Sequence, residues 1–224
     1  ASLNAVSPGA WTKYARQLEG TGVDGLELNV YSVETNPRRT AAEVEKSLVE
    51  TVESVKKEVK IPVSVKLSPF YTSVANVAAA LDKAGVGALV LFNRFLQPDI
   101  DPATEAATSD MAYSTPDEMR LPLRWVALLH GRLRADLALN TGVHTGLDAA
   151  RALLAGATVV QVASALLTNG IPYLSTMTRQ LEGWMTEKGY SRLADFRGKL
   201  SQKQIADPLV FERAQYVKLI LSQK

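Results

Sequence analysis

Apolar positions along the chain group at two scales. Short runs rich in Val, Leu, Ile and Ala recur at residues 1–4, 25–30, 63–67, 88–92, 136–140 and 158–163. Each has the length of a strand rather than of a helix. Longer amphipathic stretches separate them, and this alternation predicts repeated βα units around a parallel sheet. The spaces between the runs carry helix signals. Ser7-Pro8 offers an N-cap with proline at the first helical position, and Thr40-Ala-Ala-Glu43 is a capping box ahead of a helix from Ala41 to about Val59. Ser114-Thr115-Pro116 precedes a predicted helix over 117–129, Thr145 precedes another over 146–154, and 207–221 reads as helical near the end. Gly22, Gly85 and Gly156 stand where helices should stop.

Strands as apolar as Ala-Leu-Val-Leu-Phe92 suit a sheet covered on both faces, in a closed barrel or in a doubly wound fold. No Gly-x-Gly-x-x-Gly follows any strand, which removes the main sequence argument for a dinucleotide site of the doubly wound kind. The uncharged stretch 152–178 is long enough to suggest a membrane span. Gly156, Gln161, Asn169, Gly170 and Pro172 break it into helix end, strand, turn and helix start, so it reads as core.

Composition narrows the classes further. With 46% hydrophobic and 21% charged residues over 224 positions, the chain can bury a sizeable single core. A formal charge of +2 with no basic block argues against nucleic acid as a partner. The absence of cysteine removes thiolate nucleophiles, cysteine-held zinc and iron–sulfur clusters from this chain, and agrees with a cytoplasmic location. The first residues carry no charged leader ahead of an apolar run, so neither a signal peptide nor a membrane anchor is expected.

In a βα barrel the chemistry gathers where strands end, and polar residues there carry the most information. Asn29, Lys66, Asn93 and Asn140-Thr141-Gly142 are such residues. A lysine inside an apolar barrel mouth needs an anion, supplied either by Glu27 on the preceding strand or by a cofactor or substrate. Asn29 and Asn93 can hold a planar, hydrogen-bonding ring or simply cap turns. Gly142 permits close backbone approach, and Ser164-Ala165 opens a helix after the last strand. Loops after the final two strands are a recurrent phosphate site in this architecture, so a phosphorylated ligand is expected there. His130 and His144 have no evident catalytic partner and read as structural. Arg38-Arg39 reads as solvated surface, while Arg94 is placed to face the site.

Three segments carry a resemblance: Gly-Val-Asp-Gly-Leu-Glu-Leu-Asn29, Val-Ser-Val-Lys66-Leu-Ser-Pro, and the run from Thr141-Gly-Val-His-Thr-Gly to Val-Ala163-Ser-Ala-Leu. Together they resemble the dihydroorotate dehydrogenase family, an FMN-containing (β/α)8 barrel, over nearly the whole chain. The resemblance implies that Lys66 contacts the flavin ring. It also implies that Thr141, Gly142 and Val143 supply one phosphate loop and Ala163, Ser164 and Ala165 the other. In the family a Cys or Ser three residues after the strand-end Asn is the general base, a position held here by Ser32. Asn29, Asn36, Asn93 and Arg94 fall where the family contacts substrate. Two residues depart from the family pattern: Glu34 replaces the second Asn of Asn-x-Ser-[Cys/Ser]-Pro-Asn, and Arg94 replaces a small hydroxyl residue.

The resemblance implies an oxidoreductase that takes a proton and a hydride from dihydroorotate or a related CH–CH substrate in pyrimidine metabolism. A homodimer is implied, with an electron acceptor outside the chain. Residues 1–4 match the family's third strand, so a single FMN-binding domain over 1–224 is expected to lack the first two βα units. Two alternatives keep the barrel: an aldolase or isomerase using Lys66 as Schiff-base or acid/base residue, or a flavin-binding homologue without turnover.

Overall fold

The apolar residues of the short runs fall into strict alternation in three dimensions, and this decides what each sheet face does. The computed structural model describes residues 1–30, 33–95, 97–109, 112–212 and 221. Its elements in chain order are β1 (Ser2–Leu3), α1 (Pro8–Glu19), β2 (Leu26–Leu28), α2 (Ala41–Glu58), β3 (Val63–Leu67), α3 (Val74–Lys83) and β4 (Ala88–Leu91). There follow β5 (Asp99–Asp101), β6 (Ala106–Thr108), α4 (Arg120–Leu129), β7 (Asp136–Leu139), α5 (Gly146–Ala155), β8 (Val159–Val160), α6 (Ser164–Asn169) and α7 (Tyr173–Glu187).

The main sheet is parallel, in the order β1-β2-β3-β4-β7-β8, which is the sequence order of the six predicted strands. β5 and β6 pair antiparallel as a separate hairpin that the sequence reading missed. Within the main sheet, Glu27 registers with Ser64, and Lys66 with Val90, Ala138 and Val159 in successive strands. Because side chains alternate with a period of two, these residues share one face with Asn29 and Gln161. The other face carries Leu26, Leu28, Val63, Val65, Leu67, Leu89, Leu91, Leu137 and Leu139, none more than 4% exposed. That face joins the apolar stripes of the helices, including Leu48, Val52 and Val55 of α2 and Val77, Ala78 and Leu81 of α3, in one core. Each such fully buried aliphatic side chain contributes about 1.5–3 kcal/mol. The strands are therefore not apolar on both faces: the helix side is apolar and the opposite side is substantially polar.

Helix signals translate into geometry with three changes. Thr40 and Glu43 form the reciprocal box that starts α2, with Thr40 N–H donating to Glu43 Oε2 at 2.7 Å. Ser7 holds the N-cap position of α1 with extended dihedrals, but its side chain makes no capping bond. The helix expected over 117–129 splits into a 3₁₀ turn, Pro116–Met119, and then α4. The segment 207–221 shows only a 3₁₀ turn at Pro208–Phe211 among its described residues, and 213–220 lie outside them. Among the described residues, no helix is long and apolar enough to cross a membrane.

Candidate functional site

The polar sheet face is built from three strands. Lys66 projects from β3 with its Nζ 3.4 Å from Glu27 Oε1 on β2 and 3.3 Å from Oε1 of Gln161, just past β8. Gln161 Nε2 in turn donates to Glu27 Oε2 at 2.6 Å. The Lys66 and Glu27 side chains are 18% and 17% exposed, so the pair is largely withdrawn from water. The internal carboxylate is thus in place, as one of the two alternatives open for Lys66 anticipated. At strand ends on the same side of the sheet, Asn29, after β2, donates from Nδ2 to Ser2 Oγ at 2.6 Å, and Asn140, after β7, donates from Nδ2 to the Phe92 carbonyl at 2.7 Å. Gln161 was missed in the sequence, although a lone polar residue inside Thr-Val-Val-Gln-Val was a visible signal.

Beyond these strand ends lie the two loops expected to bind phosphate. Thr141 and Gly142 both take left-handed backbone, at φ of 81° and 76°, and a Cβ on Gly142 would overlap the Met119 backbone. A β-branched residue in that region is held there by its surroundings: Thr141 Oγ1 donates to the Phe92 carbonyl at 3.2 Å. Asp148, 6% exposed, then fixes the exit of the loop. Its Oδ2 accepts from the His144 and Thr145 backbone at 3.1 and 2.9 Å and from Thr145 Oγ1 at 2.9 Å. The second loop lies beside the first because β7 and β8 are paired.

Ser114 joins the two loops. Its N–H and hydroxyl both donate to Ser164 Oγ, at 3.0 and 2.9 Å, and its Oγ is 3.4 Å from His144 Nε2. The backbone N–H groups of Gly142, Val143, Ser164 and Ala165 find no protein acceptor among the described residues. The side chains of Val143 and Ala165 are buried at 3% and 0%, so these residues offer backbone alone. Uncommitted amides on adjoining loops, with no room for a Cβ at Gly142, fit an anionic group.

Two cavities open at this end. A space of about 470 Å³ is bounded by Phe92, Asn93, Arg94, Glu118 and Thr141. One of about 1140 Å³ lies between the loops after β2 and β3, with Trp11, Val30, Asn36, Arg39 and Tyr71 in its wall. Phe70 and Phe95, edge to face at 5.1 Å, border both. Asn93 and Asn36 are therefore not brought together: each belongs to a different cavity. The Asn93 side-chain amide has no protein partner among the described residues, whereas Asn36 Oδ1 accepts from Arg38 N at 3.1 Å. Burial, with the Glu45 charge adding to it, pushes the Tyr71 phenol up to about 12, leaving a neutral hydroxyl in the larger cavity.

Arg94 is committed on three sides. Nε donates to Glu118 Oε1 at 2.8 Å, and the other nitrogens reach the carbonyls of Ala112 and Tyr113. Burial raises the Glu118 carboxyl, but hydrogen bonds from Arg94 and the Thr115 backbone outweigh it, and the net shift is below the usual 4.5. Glu34, the other departure from the family pattern, pairs with Arg39 at 2.7 Å and accepts from Asn36 N. Those contacts hold its carboxyl below 4.5, with the Asn36 N–H the main cause. Arg39 is accordingly part of a local network rather than free surface. Ser32 lies outside the described residues.

A parallel βα sheet with a polar inner face and uncommitted loop amides after its last two strands places the protein in the βα-barrel class, in which loops at that position commonly hold phosphate groups. The sequence pattern of one such family, "Dihydroorotate dehydrogenase", matches residues 7–185, and the chain belongs to that family. Membership carries the (β/α)8 architecture, of which this sheet is a part, and the FMN dependence of the family's enzymes.

Among curated relatives, the chloroplastic dihydropyrimidine dehydrogenase (NADP(+)) of Arabidopsis thaliana is 26% identical over 209 residues, covering 84% of this chain and 49% of that protein. The catalytic subunit of dihydroorotate dehydrogenase B (NAD(+)) from Thermoplasma volcanium is 28% identical, covering 88% of this chain and 66% of its own length. Dihydroorotate dehydrogenase A (fumarate) from Lacticaseibacillus paracasei is 29% identical, covering 74% and 58%. The chain thus spans between about half and two thirds of these relatives.

Proposed function

We propose that the protein is an FMN-dependent oxidoreductase that oxidises a CH–CH bond in dihydroorotate or a related dihydropyrimidine. The observation that carries this reading is the continuity of the polar inner face with the cradle. Asn29, Lys66 and Gln161 lead along the strand ends to the uncommitted amides of Gly142, Val143, Ser164 and Ala165. A ligand with a flat polar ring at one end and a phosphate at the other suits both. When bound, FMN supplies the acceptor for the hydride.

The remaining work falls to the chain. Lys66 presents a positive charge to the ring, and Thr141, Gly142 and Val143 with Ala163, Ser164 and Ala165 anchor the phosphate. Asn93 and Asn29 orient the substrate through their amides, with Asn36 and Arg94 shaping the two cavities. Ser32 takes the proton from the carbon next to the hydride donor and passes it to water or a neighbouring group, because a serine hydroxyl is a weak base. The ion pair between Lys66 and Glu27 argues against a Schiff-base role, which needs a neutral amine. The same reading assigns a cytoplasmic, homodimeric enzyme of pyrimidine metabolism, a single FMN-binding barrel domain contributing its third to eighth strands, and an acceptor on another molecule.

The test uses the full-length protein. A flavin spectrum, release of FMN on denaturation, and anaerobic bleaching by dihydroorotate or dihydrouracil are the expected results. Folded protein with no affinity for FMN would refute the reading. A Ser32→Ala variant should keep FMN and lose most substrate-driven reduction, and unchanged bleaching would remove Ser32 from the mechanism.

A further inference from the structure

We infer that Glu27 and Gln161 are positioning residues for Lys66, holding its ammonium in one direction and setting how much of its charge a ligand at the barrel mouth feels. The inference rests on the FMN reading for the ligand's identity, but the geometry stands without it. The Gln161 amide orientation is fixed by chemistry: only its nitrogen can donate to Glu27 Oε2, at 2.6 Å, so its carbonyl must face the Lys66 ammonium, at 3.3 Å. Glu27 Oε1 takes a second ammonium hydrogen at 3.4 Å. An ammonium has three donors, and no third acceptor lies within reach among the described residues. One N–H is left for a ligand.

Two features separate this from an ordinary internal ion pair. Lysine has a flexible four-carbon stem, and acceptors on two different strands remove the freedom that would otherwise let it swing away from a ring. The second feature is charge. Glu27 lies close enough to offset part of the Lys66 field, and in a site this withdrawn from water the offset is large. A flavin gains negative charge on reduction, so a carboxylate behind the lysine disfavours the reduced form and an amide in its place favours it. Glu27 thereby sets the reduction potential through Lys66 without touching the flavin.

The experiment compares full-length wild type with Glu27→Gln, Gln161→Glu and the exchange variant Glu27→Gln/Gln161→Glu. The first readout is the midpoint potential of bound FMN. The second is the rate at which acetic anhydride labels Lys66 in flavin-free protein, followed by peptide mass spectrometry across pH. Glu27→Gln should shift the potential upward and speed labelling several-fold, because a side chain no longer held by the carboxylate is freer to meet the reagent. Gln161→Glu should move both readouts the opposite way, and the exchange variant should return them toward wild type. A merely structural brace would change thermal stability and leave both unmoved.

Wild-type potential and labelling in all folded variants would overturn the inference while leaving the flavin reading intact. If wild type binds no FMN, the flavin reading falls and the labelling series alone decides the positioning role. Should Glu27→Gln fail to fold, Gln161→Glu, which adds a carboxylate, carries the test in the opposite direction.

Discussion

Gln161 donates its Nε2 hydrogen to Glu27 Oε2 over 2.6 Å, although β3, β4 and β7 lie between the strands that carry them. At about 4.8 Å per strand a flat sheet would hold those strands roughly 19 Å apart. The sheet must therefore curl until the inner faces of β2 and β8 meet, and the contact between these two residues measures that curvature. Lys66 is enclosed by it.

A charged group so placed need not stabilise the fold. Breaking one member should cost about 1–3 kcal/mol through the unpaired partner, whereas replacing all members with apolar groups of like size should be close to neutral. Glu27→Leu alone is expected to lower the urea midpoint. The variant Glu27→Leu/Lys66→Met/Gln161→Leu should recover most of it and still bind FMN far more weakly than wild type. Recovery of stability together with wild-type FMN affinity would show that the network serves neither purpose assigned to it.

Gly142 should tolerate no side chain. Its φ of 76° disfavours any L-residue, and a Cβ would run into the Met119 backbone. Strain and overlap together predict a loss of roughly 2–4 kcal/mol for Gly142→Ala. Because the displaced loop carries the amides of Gly142 and Val143, FMN affinity should fall by more than the stability change alone explains. Calorimetric titration with FMN, set beside urea unfolding, separates the two.

Asp148 offers a second handle on the same loop without touching the proposed anion site. Its Oδ2 collects the His144 and Thr145 N–H groups and the Thr145 hydroxyl, so Asp148→Ala removes one half of the capping box of α5, while Thr145 Oγ1 can still accept from the N–H of residue 148, and leaves two backbone donors unpaired. The expected cost is about 1–3 kcal/mol. Asp148→Asn keeps one acceptor oxygen and should retain a larger share of the stability, which urea unfolding of both variants will show.

How far these relationships could be read from the chain depends on their range. The six strand positions of the parallel sheet, and the start of α2 at Thr40, follow from local rules of period and capping, and both are seen in the structure. The β7–β8 loops stood out because glycine and small residues follow two strands in succession. What escaped were contacts set by curvature: Gln161 with Glu27, 134 positions apart, and Ser114 with Ser164, 50 apart. No local pattern encodes how tightly a sheet will curl. The hairpin of β5 and β6 was missed for another reason. Its strands are three residues each and largely exposed, so no alternating apolar face announces them. The break ahead of α4 had a readable cause: Thr115 and Glu118 cap the 3₁₀ turn that Pro116 opens.

The acid response of the segment around Glu118 follows from its contacts. Its folded carboxyl titrates below the ordinary 4.5, burial opposing the shift and hydrogen bonds from Arg94 and the Thr115 backbone prevailing. A carboxyl whose folded value is depressed contributes stability above the unfolded value and loses it as pH falls through the folded one. Wild type should therefore be more stable than Glu118→Gln at pH 7, with the difference shrinking below about pH 4.5 and vanishing once the carboxyl is protonated in both states. The side chain is 36% exposed, so the gap at neutral pH should stay within about 1 kcal/mol. Urea midpoints of the two proteins from pH 7 to pH 3 test this directly. A difference that persists unchanged into acid would mean that Glu118 acts through shape alone, and that Arg94 is held by the Ala112 and Tyr113 carbonyls rather than by the ion pair.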